Sequence, residues 1–148
     1  MKKIFYVMIA IIAIALSACR TGDYPANMQG NWLYDDTTNY VISTFSVSSS
    51  NASKGIPATI EVVFLNQEKY PDLQGEYADE VLVDYDPSDG YGSFKPKKGE
   101  EGLQGEFEAL DKEDIELSLF LVDKKGTKRE LLHDAVYTLK KEAVVVNQ

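Results

Sequence analysis

From residue 30 onward the apolar side chains of this chain recur at every second position, and that alternation limits its possible folds more than any other feature. Successive side chains of an extended backbone point to opposite faces, so such segments are strands with one face buried. The stretch YVISTFSV at 40–47 puts Val41, Phe45 and Val47 on one side and Tyr40, Thr44 and Ser46 on the other. ATIEVVFLN at 58–66 shares Ile60, Val62 and Phe64 on one face, and YADEVLVDY at 77–85 presents Val81, Val83 and Tyr85. DIELSLFLV at 114–122 sets Ile115, Leu117, Leu119 and Leu121 against Glu116 and Ser118.

Turn-forming residues separate these runs: SSSNASKGIP, DPSDG, KPKKGEEG, LDKED and DKKG. Gly, Pro, Asn and Asp at such short spacing mark consecutive hairpins. The segment RELLHDAVYTLKK, 129–141, also suits a 3.6 period through Leu131, Leu132, Ala135, Val136 and Leu139. Tyr137 and Leu139 alternate with Val136, Thr138 and Lys140, so a closing strand is preferred to a helix. The pattern predicts an all-β chain of about eight strands, at 30–36, 40–48, 58–66, 75–85, 91–96, 104–110, 114–123 and 127–140, the last broken near His133 and Asp134. Short links without a Greek-key crossover favour an antiparallel up-and-down β-barrel, with a two-sheet β-sandwich as the alternative.

The N-terminus belongs to a different regime. MKK is followed by the uncharged run Ile4 to Leu16 and then by small residues, the layout of a secretory signal peptide. That run is shorter than the roughly 18–20 apolar residues a helix needs to span a bilayer. The residues Leu16, Ser17, Ala18 and Cys19 resemble the lipobox of bacterial lipoproteins. The resemblance implies that residues 1–18 are removed, that the Cys19 thiol carries a diacylglyceryl group and that its amine is acylated. Two or three buried acyl chains, at about 0.8 kcal/mol per CH₂, anchor a protein firmly, whereas one is marginal.

Residues 20–29, RTGDYPANMQ, carry no apolar period and read as a tether between Cys19 and a barrel domain at 30–141, with 142–148 as a C-terminal tail. In lipoproteins of this kind the residue after the Cys helps choose the membrane. Arg20 in place of Asp implies the outer membrane, and with no acidic cluster directly after Cys19 a periplasmic-facing position is expected over surface display. Cys19 is the only cysteine, so an exported domain has no disulfide and must rely on core packing.

The whole chain has 15 Lys and Arg against 24 Asp and Glu; residues 1–18 take with them Lys2 and Lys3 and no acid, leaving 13 against 24, a net of −11. Such acidity disfavours nucleic acid as a partner and offers no general attraction to anionic head groups. It serves solubility first, with a cationic partner as the alternative.

Gln-Gly followed two residues on by an aromatic occurs three times, in MQGNW at 28–32, LQGEY at 73–77 and LQGEF at 103–107. Their spacings of 45 and 30 residues fit no tandem repeat, and each copy is expected at the head of a strand. The first, Gly30-Asn31-Trp32, resembles the Gly-x-Trp signature of lipocalin-like barrels, and VYTLKK at 136–141 looks like the last strand of small lipocalin-like domains. The resemblance implies that Gly30 and Trp32 close one end of the barrel and that a cation, Arg129 or else Lys140, covers the indole.

Catalytic chemistry finds little support. DYDPSDG at 84–90 offers oxygens on Asp84, Asp86 and Ser88, but Asp89 and Lys95 stand where an EF-hand needs Gly and Glu, and a hairpin turn built on Pro87 is the simpler reading. His133 is the only histidine, and no nucleophile elbow or phosphate loop is present, so neither a metal, a cofactor nor an enzyme is expected. Same-parity acids such as Glu106 and Glu108 suit a solvated strand face.

Strand aromatics are the remaining lead. An eight-stranded barrel is wide enough either to be packed solid or to hold one small ligand. The leading expectation is a non-enzymatic envelope lipoprotein binding a small apolar or amphipathic ligand in a cavity lined by Val62, Phe64, Val83, Tyr85, Phe107, Leu117 and Leu119. The rival is a protein-interaction module, an accessory subunit, inhibitor or assembly factor of the envelope, using an acidic face or a strand edge.

Overall fold

The computed structural model describes residues 24–141. The expected signal peptide, the lipidation site Cys19 and the tail at 142–148 lie outside the described residues. Eight strands follow in order: β1 (Gly30–Asp36), β2 (Val41–Val47), β3 (Ile56–Phe64), β4 (Glu76–Asp86), β5 (Tyr91–Pro96), β6 (Gly102–Ala109), β7 (Asp114–Val122) and β8 (Lys128–Lys140). Each pairs antiparallel with the next, and β1 pairs with β8 through Asn31↔Lys140, Trp32↔Leu139 and Leu33↔Thr138. The sheet is therefore a closed up-and-down barrel, and the sandwich alternative is ruled out. The segment at 129–141 is strand, as the Tyr137 alternation requires.

Alternation becomes burial almost residue by residue. Val41, Ser43, Phe45 and Val47 point inward from β2, and Ile56, Ala58, Ile60, Val62 and Phe64 from β3. Among the described residues Ser43 is the one buried side chain that is neither apolar nor aromatic; its hydroxyl donates to the Glu61 carbonyl and accepts from the Tyr137 phenol at 2.6 Å. That pairing is what lets a hydroxyl sit in an apolar interior without a large desolvation cost.

The pattern slips at one place. Between Leu117↔Ala135 and Leu119↔Leu132, β8 carries one more residue than β7, and a second irregularity follows at Phe120. Asp134 takes a left-handed backbone, φ 47°, and its N–H donates to the Ser118 hydroxyl, the signature of a bulge. Inward parity on β8 then passes from Leu132 to Ala135 and Tyr137, which is how a strand interrupted near His133 and Asp134 stays continuous. On β7 Leu121 keeps the expected inner face, opposite Leu103 of β6 and packed against the core, though it is only partly covered.

Two glycines seat the barrel's aromatic interior. Gly92 faces Phe107 across β5 and β6, and Gly105 faces Phe94 two pairs along. A Cβ on either glycine would run into the ring opposite it. The Phe94 ring packs 5.0 Å from Phe45, and Phe107 lies 5.8 Å from Phe45 and 6.1 Å from Tyr85, centroid to centroid. Gly105 therefore does not begin a strand as expected; β6 begins at Gly102, whose φ of 139° suits glycine, and Gly105 sits within it as a flat seat.

Part of the expected tether is also structure. Pro25 and Met28 are buried, the Pro25 carbonyl accepts the Tyr85 phenol at 2.7 Å, and the Tyr24 ring covers Gly90. Residues 24–29 thus strap across the end of the barrel where β1 begins and β8 finishes.

Candidate functional site

The seven residues expected to line a ligand cavity are all inside, but they are the packed core itself. Val62, Val83, Leu117 and Leu119 have no exposed surface, and Phe64, Tyr85 and Phe107 almost none. They form one contiguous cluster with Trp32, Phe45, Phe94 and Tyr137. The larger concavities open on the outer wall, and of the seven only Tyr85 and Phe107 reach the floor of one. The inward parity was legible; the filling of the space between was not.

The barrel end away from the strap is covered by the β3–β4 loop, 65–75, whose Tyr70 and Leu73 pack against the core. Tyr70 lies 4.9 Å from Phe64, and its phenol donates to the Asn39 carbonyl at 2.9 Å. Beneath it Tyr34 stacks on Tyr137 with centroids 5.6 Å apart and donates to Asp36. Burial, then the hydrogen bond to Asp36 and its charge, push the Tyr34 phenol up to about 12. Burial and then the charges of Asp89 and Asp86 push Tyr85 up to about 12, and burial pushes Tyr137 up as well.

These shifts carry a sign. A folded phenol that ionises above its unfolded value of 10 contributes stability that is whole below pH 10 and is lost as the pH climbs from there through about 12. The urea midpoint should therefore fall steeply above pH 10, with part of the tyrosinate absorbance appearing only as the fold is lost. Complete phenol titration near pH 10 with the circular dichroism intact would remove this account.

The expected barrel closure is half present. Trp32 is fully buried beside the strap, where its indole N–H donates to the Met28 carbonyl at 2.9 Å, and Gly30 lies against Leu139 with a φ of 131°. Arg129 does not cover the indole: β8 starts at the opposite end, and its guanidinium donates to the Asp72 carbonyl at 3.1 Å. Lys140 is paired with Asn31, one residue out of parity with Trp32, and is exposed. A backbone carbonyl from the strap does the work the resemblance gave to a cation.

The outer wall carries a feature that single-strand reading dispersed. Register aligns Asp84, Ser93, Glu106 and Ser118 in one row across β4 to β7, and Asp86, Tyr91, Glu108 and Glu116 in the next. A groove of about 640 Å³ opens over the β4–β6 part of these rows, lined by Asp84, Asp86, Tyr91, Ser93 and Glu106 together with Lys54 and Pro87, and Glu108, Glu116 and Ser118 line a smaller hollow. Tyr91 is 56% exposed and lines the groove. Among the described residues the ion pairs join His133 to Glu130 and Asp134, and Lys141 to Glu113; none neutralises Asp84, Asp86, Glu106, Glu108 or Glu116. Glu108 and Glu116 face each other directly, a like-charge pairing that costs stability. Each acid taken alone resembles a solvated face; only register shows that they converge on one aromatic.

The DYDPSDG segment is a hairpin turn. Asp86 accepts from the Ser88 N–H and hydroxyl, which hold its carboxyl below the usual value, and Asp89 accepts from the Tyr91 N–H. Their oxygens serve the turn's own donors. Comparison with protein-family models, with curated proteins and with solved structures finds no match, so the molecule's own geometry carries the functional reading.

Proposed function

We propose that the chain is an exported, non-enzymatic lipoprotein of the cell envelope, anchored through Cys19 in the outer membrane and facing the periplasm, that acts as a protein-interaction module. The observation that carries the interaction role is the row of unneutralised carboxylates around exposed Tyr91 on the outer wall. Such a surface suits a cationic segment of another envelope protein, with an aromatic anchor amid charges that steer the approach. The packed interior supports the same reading, because little is left for a cavity to do.

Two measurements test it. Metabolic labelling with a fatty acid should mark the wild type and leave Cys19→Ala without label; label on the variant would end the anchor assignment. Capture of a partner from detergent-solubilised envelopes should weaken when Asp84→Asn, Glu106→Gln and Tyr91→Ala are combined, and should weaken with added salt. Capture indifferent to both would end the role of the groove.

A second reading, a small apolar or amphipathic ligand, is favoured by the construction of the β3–β4 loop. Exposed bonds hold it to its neighbours, from Lys69 Nζ to Asn39 Oδ1 at 2.6 Å and from Arg129 to Asp72. Its displacement would uncover Phe64, Tyr34 and Tyr137, and a ligand would enter there. Solvent extraction of the natively purified protein followed by mass spectrometry should then recover a bound molecule; a clean extract counts for the interaction module.

A further inference from the structure

We infer that the strapped end of the barrel rests on the lipid surface, so that the molecule stands on its membrane in one orientation. The inference depends on the Cys19 anchor proposed above and adds to it a docking face. Three contacts hold the chain to the barrel from residue 24 onward. The Tyr24 ring lies over Gly90, the Pro25 carbonyl accepts from Tyr85, and the Met28 carbonyl accepts from Trp32 at 2.9 Å. Only residues 20–23 separate Cys19 from this fixed point.

Five Cα steps span at most about 17 Å even when fully extended. The 11 residues of β4 alone rise about 36 Å along the strand. A tether this short cannot let the barrel turn over and set its far end on the bilayer. Lying on the β4–β7 wall is disfavoured as well, because unneutralised Asp84, Asp86, Glu106, Glu108 and Glu116 would approach anionic head groups. The surface nearest the anchor, and the one set on the lipid, is the strap with the loops at 48–55, 87–90 and 110–113. The acidic groove then opens beside the membrane, since Lys54 and Pro87 belong to two of those loops.

The anchor supplies its own test conditions: a lipidated Cys19 leaves an introduced cysteine as the one free thiol. A donor dye would be placed at Asn51→Cys or Lys112→Cys near the strap, and at Thr38→Cys or Lys125→Cys at the far end, all on exposed positions. The lipidated proteins would be reconstituted in phosphatidylethanolamine and phosphatidylglycerol vesicles containing an acceptor-labelled lipid. Energy transfer should be several-fold greater from the strap-end sites than from the far-end sites. A flexible Gly-Ser insertion between residues 22 and 23 should level the two. Equal transfer without the insertion overturns the orientation, and so does asymmetry that survives it. Wild-type protein that never joins the vesicles overturns the anchor instead, which keeps the two failures apart.

Discussion

Gly105→Ala is expected to cost the barrel about 1–3 kcal/mol, and Gly92→Ala a similar amount, although both replace the poorest strand residue with a better one. Ordinarily Gly→Ala at a compatible backbone stabilises by about 0.4–1 kcal/mol, through loss of freedom in the unfolded chain. Neither residue has a left-handed φ, so the backbone would accept the change. What resists is the neighbouring ring: the added Cβ would overlap Phe94 in one case and Phe107 in the other. Both rings are backed by Phe45, and Phe107 by Tyr85, so neither can retreat without disturbing the next. Because the two sites share Phe45, the double variant should depart from additivity. Urea denaturation checks all three proteins; a neutral or stabilising Gly105→Ala would mean the ring is not seated there. Phe94→Leu added to Gly105→Ala should restore part of the loss.

The same pairs explain what the sequence could and could not reveal. Period-two alternation is a local signal, so eight strands, their faces and the interruption near His133 were legible within a residue or two. Closure followed from short hairpins. Whether the enclosed space is full depends on summed side-chain volumes and on which residue faces which, and no single strand contains that. Phe94 fills the centre because its partner is Gly105, a pairing fixed by the register of β5 against β6. The acidic wall was hidden for a related reason, its members being distributed over four strands. Residues 24–29 have no period, so a local pattern marks them as tether. Their burial comes from two side chains, Pro25 and Met28, and from carbonyls bound by side chains elsewhere in the chain, one of them 60 residues away.

Trp32→Ala is expected to be the most damaging single change at the strapped end, at about 3–5 kcal/mol. The ring is wholly buried, and its loss would leave a cavity bordered by Met28 and the β1–β8 seam, where only three residue pairs close the barrel. Trp32→Phe separates packing from hydrogen bonding. It retains much of the ring but leaves the Met28 carbonyl without its donor, for about 1–3 kcal/mol. Met28→Ala makes the opposite cut: it empties a buried site while keeping the carbonyl that the indole N–H needs. If the strap is held as described, both variants should raise amide exchange in residues 24–29 before the rest of the barrel opens. Arg129→Ala provides the contrast, since its guanidinium lies at the far end on the Asp72 carbonyl. Fluorescence of the single tryptophan should stay unchanged in that variant and shift to the red in Met28→Ala. A red shift from Arg129→Ala with none from Met28→Ala would return the closing role to the cation and take it from the strap.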